Sequence, residues 1–137
     1  MKFRASFCDP FNPKVIELGE IEKDKIIELF EKTAWVEYLE KVETAKDTDI
    51  YYSPSLEVEN KDTRHGLSLS AVGDPSNYEF YIFYKRPKRI KTFFGLSEKL
   101  ENDYMTDVID QSRESALECL TALINNDTQF LENRIGK

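Results

Sequence analysis

Tyr78, Phe80, Ile82 and Tyr84 alternate with Glu79, Tyr81, Phe83 and Lys85, and no other pattern narrows the choice of fold so far. Successive side chains of a strand point to opposite faces, so this alternation predicts a strand with one buried face. The same period recurs upstream. Leu67, Leu69 and Ala71 alternate with Ser68 and Ser70; Ile50, Tyr52, Leu56 and Val58 alternate with Tyr51, Ser53, Ser55, Glu57 and Glu59, where Pro54 marks an edge or a bulge. The polar run 60–66 and the turn signal Gly73-Asp74-Pro75-Ser76-Asn77 leave only short connections, which join antiparallel strands. Arg86-Pro87-Lys88 reads as a turn, with Arg89 to Phe94 as the last strand. At the start of the chain Phe3, Ala5 and Phe7 alternate with Lys2, Arg4 and Ser6 over residues 2–8. Pro10 and Pro13 break that strand, and Val15 to Leu18 reads as a second short one ended by Gly19.

Two stretches carry the helical period instead. Over residues 23–44, Ile26, Phe30, Ala34, Tyr38 and Val42 recur every four residues, and Ile27, Trp35 and Leu39 widen the stripe. Thr33 allows a restart, which would make two short helices. Near residues 108–125, Val108, Ile109, Ala116, Leu117, Leu120, Leu123 and Ile124 make a second stripe, with Asp110 or Ser112 as N-cap. Asp127 can cap a last short helix carrying Phe130, Leu131 and Ile135. The expected architecture is therefore α+β: a two-layer sandwich with an antiparallel meander sheet of four to six strands and helices packed on one face. Trp35, Leu39, Leu117, Leu120, Phe80 and Ile82 are expected in its core. At 137 residues the chain fits a single α+β domain, and folding at that length buries roughly two-thirds of the chain's surface.

Helices on one side leave the other sheet face to Tyr51, Ser53, Ser55, Glu57, Ser68, Ser70, Tyr81, Phe83 and Lys85, followed by Lys91 and Phe93. The serines suit a solvated face. Tyr81, Phe83 and Phe93 do not, and together they would make an apolar patch that something should cover. The candidates are a partner, a second copy, or residues 9–18 of the same chain. Beside the aromatics runs Lys85-Arg86-Pro87-Lys88-Arg89-Ile90-Lys91, with five bases and no acid in a chain whose net charge is −7. Tyr51, Tyr81, Phe83, Lys85, Arg86, Lys88, Arg89, Lys91 and Phe93 are accordingly the expected partner-binding residues, since aromatics and arginine anchor interfaces.

An acidic body argues against general binding to nucleic acid or to anionic membranes, both of which need a basic surface. Cys8 and Cys119 are expected as buried thiols in a reducing, cytoplasmic compartment, because two cysteines make no disulfide framework and the N-terminus reads as a strand instead of a leader. No apolar run of about 18 residues predicts a membrane span. His65, the one histidine, reads as a solvated loop residue with Asp62 nearby in sequence. One His and two distant Cys make no standard zinc site. Glu57 and Glu59 share a strand face and read as a solvated pair, while Asp103, Asp107 and Asp110 read as charge at a helix N-terminus. No catalytic residue, metal or cofactor is assigned.

In size and charge the chain is similar to the small acidic immunity proteins with which bacteria neutralise basic toxins, a likeness of size and charge without a shared motif. It implies a non-catalytic protein-binding domain, of inhibitor or immunity type, with another protein (a basic one included) or a second copy as partner. Two alternatives stand beside it. One is a small cofactor-independent enzyme using carboxylate or tyrosine groups. The other is single-stranded nucleic-acid binding through a basic hairpin.

Overall fold

The computed structural model describes residues 2–92 and 95–136. Six strands form one antiparallel sheet: β1 Phe3–Cys8, β2 Ile16–Ile21, β3 Ser55–Asn60, β4 Gly66–Asp74, β5 Asn77–Thr92 and β6 Ser97–Gln111, in the order β2-β1-β3-β4-β5-β6. Between β2 and β3 come α1 (Ile26–Lys32) and α2 (Trp35–Thr44); α3 (Arg113–Ile124) and α4 (Thr128–Ile135) follow β6. The helices pack on the sheet in the two-layer α+β arrangement that the alternation predicts. The connection through α1 and α2 lets β3 land on the free side of β1, so the meander β3-β4-β5-β6 is extended by the β1–β2 hairpin.

The core lies between the layers. Phe3, Leu56, Leu69, Phe80 and Ile82 of the sheet meet Ile26, Phe30, Trp35 and Leu120 of the helices, all buried. Trp35 stands edge-on to Phe80 with centroids 5.2 Å apart, and its indole N–H donates to the Phe30 carbonyl (3.0 Å), so the polar end of the ring is satisfied where it is buried. Each such side chain contributes about 1.5–3 kcal/mol through burial. Leu117 differs from expectation: it is only partly buried, at the outer side of α3.

The helical period breaks at Thr33, whose side chain donates to the Leu29 carbonyl (2.7 Å) instead of capping α2. Ser112 is the cap of α3, accepting from the Ser115 N–H (3.0 Å), and Asp127 caps α4 as expected.

The largest correction concerns residues 86–111. Arg86-Pro87-Lys88 is not a turn. β5 runs straight through it to Thr92, which pairs with Ser97 of β6. Residues 97–111 are strand, so the helix begins at Arg113 and Asp103, Asp107 and Asp110 lie on β6, not at a helix N-terminus. β6 carries two bulges. Arg86 and Lys88 face Tyr104 and Glu101, which places one extra β6 residue opposite Pro87. Phe80 and Ile82 face Gln111 and Val108, which places another opposite Tyr81, with Asp110 in the left-handed region (φ 58°). Pro87 is tolerated where the ladder is already interrupted.

β4 stops pairing with β5 at Gly66–Lys85, whereas β5 and β6 continue to Thr92–Ser97. Residues 86–92 and their partners thus project past the sheet as a two-stranded arm, roughly 20 Å long at about 3.3 Å per residue. A two-stranded ribbon is marginal by itself. Its root is held by Arg86, described below.

Candidate functional site

The sheet face away from the helices is the surface that the alternation marks out. Tyr81 and Phe83, on β5, stack with centroids 4.5 Å apart and planes 10° from parallel. The Tyr81 hydroxyl donates to Asp107 Oδ2 (2.5 Å), and this bond, with burial second, raises the Tyr81 pKa. Met105 and Ile109 of β6 are about half exposed (53% and 54%) beside the rings. They belong to the same face, because Met105 is opposite Lys85 and Asp107 is opposite Phe83. Sequence reading missed both. The signal was there in the alternation of Met105, Asp107 and Ile109 with Tyr104, Thr106 and Val108, which a helical reading from residue 108 onwards overrode.

Residues 16–18 of the segment 9–18 belong to an edge strand and not to β5 or β6, and Glu17 shares an open depression with Phe83. Ile16–Ile21 is the opposite edge strand of the sheet, separated from β5 by β1, β3 and β4. Gly19 (φ 82°) permits the bulge that places Leu18 as the extra residue against β1. From that edge Glu17 reaches Arg4 (3.5 Å), while across the face Lys85 reaches Glu59 (3.6 Å). Both pairs are exposed and contribute about 0–1 kcal/mol. Together with Glu57, Ser68, Phe83 and Met105 they line an open depression of about 270 Å³. Its charged lining is Glu17, Arg4, Glu57 and Glu59 from β2, β1 and β3, with Lys85 from β5.

Alternation divides the basic run between two environments. Lys85, Arg89 and Lys91 belong to the open side. Arg89 and Lys91 are exposed and make no ion pair among the described residues. Lys88 lies on the helix side, 3.3 Å from Glu132. Arg86 must be removed from the expected surface, because it is buried between the layers. Its Nε and Nη2 donate to the two carboxylate oxygens of Glu132 (2.8 and 3.0 Å), and Nη1 donates to the Tyr84 carbonyl and Thr106 Oγ1. The guanidinium lies between the rings of Tyr84 (4.2 Å) and Tyr104 (4.8 Å). A bidentate, stacked guanidinium is fully used in holding α4 to the root of the arm. Tyr51 is exposed but off the sheet: β3 begins at Ser55, and the Tyr51 N–H donates to the Pro10 carbonyl (2.8 Å). Ile50 and Tyr52 likewise precede the sheet, and the Tyr52 hydroxyl donates to the Pro13 carbonyl (2.8 Å). Phe93 lies outside the described residues.

The remaining ionisable groups have structural partners. His65 is half-buried instead of solvated, and its Nδ1 shares a 2.9 Å hydrogen bond with the Tyr84 hydroxyl. Asp62 is not its partner but accepts from the Lys2 N–H (3.1 Å). Burial, then the charge of Arg86, holds the His65 pKa below its ordinary value, against the opposing pull of Glu132. Burial pushes the Tyr84 hydroxyl up to about 12. Cys8 and Cys119 are buried free thiols. Burial raises them to about 12 and about 11, and at Cys8 the nearby Glu57 carboxylate adds to the rise. Glu57 accepts from Ser6 and Cys8. Among the described residues no three His, Cys, Asp or Glu side chains are grouped to hold a metal ion, and no helix is long and apolar enough to cross a membrane. No protein-family model matches the chain, and no curated protein or solved structure is found to be similar to it.

Proposed function

We propose that this chain is a non-catalytic protein-binding domain that meets its partner with the open sheet face and the basic side of β5. The observation that carries this reading is the stacked Tyr81–Phe83 pair on a helix-free face, with Met105 and Ile109 exposed beside it. Aromatic rings held in a fixed stack present apolar area without further loss of side-chain freedom on binding, which is how interface anchors work. The flanking charges give the surface a direction. Glu57 and Glu59 lie on one side, and Lys85, Arg89 and Lys91 on the other, so a partner of complementary polarity docks in one orientation. An inhibitor of the immunity type is one protein that would use such a surface.

Two variants test the reading against a partner isolated by pull-down from the native source: Tyr81→Ser with Phe83→Ser, and Lys85→Glu with Arg89→Glu. Both are expected to melt cooperatively near the wild-type temperature and to lose the partner. If the aromatic variant unfolds while the charge variant binds normally, the rings are core and the surface assignment is wrong. Salt-sensitive binding of a labelled single-stranded oligonucleotide would favour the nucleic-acid alternative instead.

A further inference from the structure

The open depression holds a charge that the chain does not balance. Three acids line it, Glu17, Glu57 and Glu59, with two bases, Arg4 and Lys85. Arg4 reaches Glu17 (3.5 Å) and Lys85 reaches Glu59 (3.6 Å), so each base is engaged. Arg4 also stands opposite Glu20 and Glu59 in the register, and Lys61 reaches Glu20 (2.9 Å). Glu57 is the carboxylate left over. Its neighbours across the ladder are Ser6 and Ser68. Its Oε1 accepts only from neutral groups, the Ser6 hydroxyl (3.4 Å) and the Cys8 thiol (3.5 Å). The side chain is half-buried, and among the described residues no cation lies within ion-pair distance of it. The two neutral bonds fix one oxygen and leave Oε2 for another donor.

An aromatic wall stands across from it. The register runs Glu57–Ser68–Phe83 over three neighbouring strands. At roughly 4.8 Å per strand, the backbones of Glu57 and Phe83 are about 10 Å apart, with only a serine between them. Tyr81 covers one face of Phe83. Phe83 lines the depression and Tyr81 does not, so the uncovered face of the ring is on the side of the depression. A carboxylate and an open ring face on either side of a small residue suit a planar cation. A guanidinium forks onto a carboxylate and lies flat on a ring, whereas an ammonium is a strongly hydrated point charge. The volume of about 270 Å³ falls below the range of about 300–1,000 Å³ usual for small-molecule sites and suits one long side chain. We infer that the depression receives an arginine side chain of the protein partner, its guanidinium held between Glu57 and Phe83. This rests on the open sheet face being the interface, and it adds which residue the partner inserts there.

The probe is a blocked arginine, acetylated at one end and amidated at the other, titrated into the full chain and followed by NMR. Saturable shifts are expected at the amides of Glu57, Ser68 and Phe83, with a Kd of about 1–10 mM, as for one weakly held side chain. The citrulline counterpart, uncharged and of the same shape, should not bind, and blocked lysine should bind more weakly than arginine. Glu57→Gln keeps an oxygen for Ser6 and Cys8, so it should melt like wild type and bind the probe at least about tenfold more weakly, the effect of losing one charge-assisted contact. Phe83→Leu should narrow the preference for arginine over lysine. An arginine probe that gives no saturable shift up to about 50 mM overturns the inference, and so does one that binds folded Glu57→Gln as tightly as wild type. The isolated partner separates this inference from the reading beneath it. If Tyr81→Ser with Phe83→Ser and Lys85→Glu with Arg89→Glu lose the partner while Glu57→Gln keeps it at full affinity, the open face stands and the arginine site is overturned. If those two variants keep the partner, the open face is not the interface and the arginine site falls with it.

Discussion

Arg86 and Glu132 face each other as a fork on a fork, with Nε–Oε1 at 2.8 Å and Nη2–Oε2 at 3.0 Å, and this pair ties the last helix to the strand from which the arm departs. A cation so thoroughly removed from water needs all its partners. Glu132 supplies two oxygens, the Tyr84 carbonyl and Thr106 supply two more, and two rings close the faces of the guanidinium. Removing one ion therefore costs more than the pair contributes as a whole, because the other is left buried and unpaired.

Glu132→Gln is expected to lower stability by about 3–5 kcal/mol, the cost of stranding a buried charge. Replacing both ions together, Arg86→Met with Glu132→Leu, should recover most of that loss. Acid adds a second signature. Burial pushes the Glu132 carboxyl up, but the hydrogen bonds and charge of Arg86, with Lys88 assisting, prevail and hold it below its ordinary value. The unfolded chain therefore takes up the proton first. The contribution of Glu132 is complete above the ordinary carboxylate range and is lost as pH falls through the lowered value. Urea melts of wild type and Glu132→Gln should converge as the pH is lowered. A gap that stays constant into acid would mean that the carboxylate charge is not what holds α4.

Gly136→Ala should destabilise through the same pair. A Cβ at Gly136 would fall inside van der Waals contact of the Glu132 carbonyl oxygen and of Oε2. The backbone there has an ordinary helical φ of −71°, so the glycine is needed for space and not for a left-handed turn. Ala at a compatible φ usually stabilises by about 0.4–1 kcal/mol through the unfolded state. Here overpacking should outweigh that and give a net loss of about 1–3 kcal/mol in a denaturant melt. A more stable Gly136→Ala protein would show that the end of α4 yields easily.

Legibility in the sequence followed burial. Phe80, Ile82, Leu67 and Leu69 alternate because one sheet face is covered, and α1 and α2 repeat every four residues for the same reason, so both were readable. β6 was not, because it is an edge strand with solvent along most of its length and two bulges that shift the alternation by one residue each. Period counting loses phase at a bulge. The stripe that begins at Val108 belongs half to that strand and half to α3. Pro87 reads as a turn in sequence because proline usually ends pairing, whereas here the partner strand bulges around it. For the open face, Tyr81, Phe83 and Lys85 were named from parity alone. Arg86 was misplaced because a run of bases looks uniform until alternation sends every second one inward, where Glu132, 46 residues away, waits for it.

The thiols should be silent. With Cys8 and Cys119 raised to about 12 and about 11, almost no thiolate exists at pH 8, and both sulfurs are shielded. A thiol reagent such as Ellman's should react with neither cysteine in the native protein and with both in urea. Reductant should leave the melting temperature unchanged, since no disulfide links them. Fast labelling of the native chain would show that one end of β1 or the inner side of α3 opens readily. A melting temperature that dropped by about ten degrees with reductant would instead indicate a disulfide.

His65 gives the most direct view of the network from outside, since it is the one histidine and its ring signals can be followed alone by NMR. Asn60 builds the turn that delivers it: its side-chain oxygen accepts from the Asp62 and Thr63 N–H groups, and its own N–H donates to the His65 carbonyl. The imidazole is thereby held against the Tyr84 hydroxyl, with the Arg86 charge beyond. Burial and that charge both disfavour the imidazolium, so the titration midpoint is expected below the ordinary 6.5. The sign for stability follows. The unfolded chain protonates first as pH falls, so the contribution of His65 is complete above the unfolded value and declines as pH falls through the lowered folded one. Arg86→Gln should move the midpoint upward by removing the nearby cation, provided the variant is measured where it is still folded. A midpoint above 6.5 in the wild type would mean that Glu132, not Arg86, dominates the field at the ring, and a midpoint unmoved by Arg86→Gln would leave burial alone as the cause.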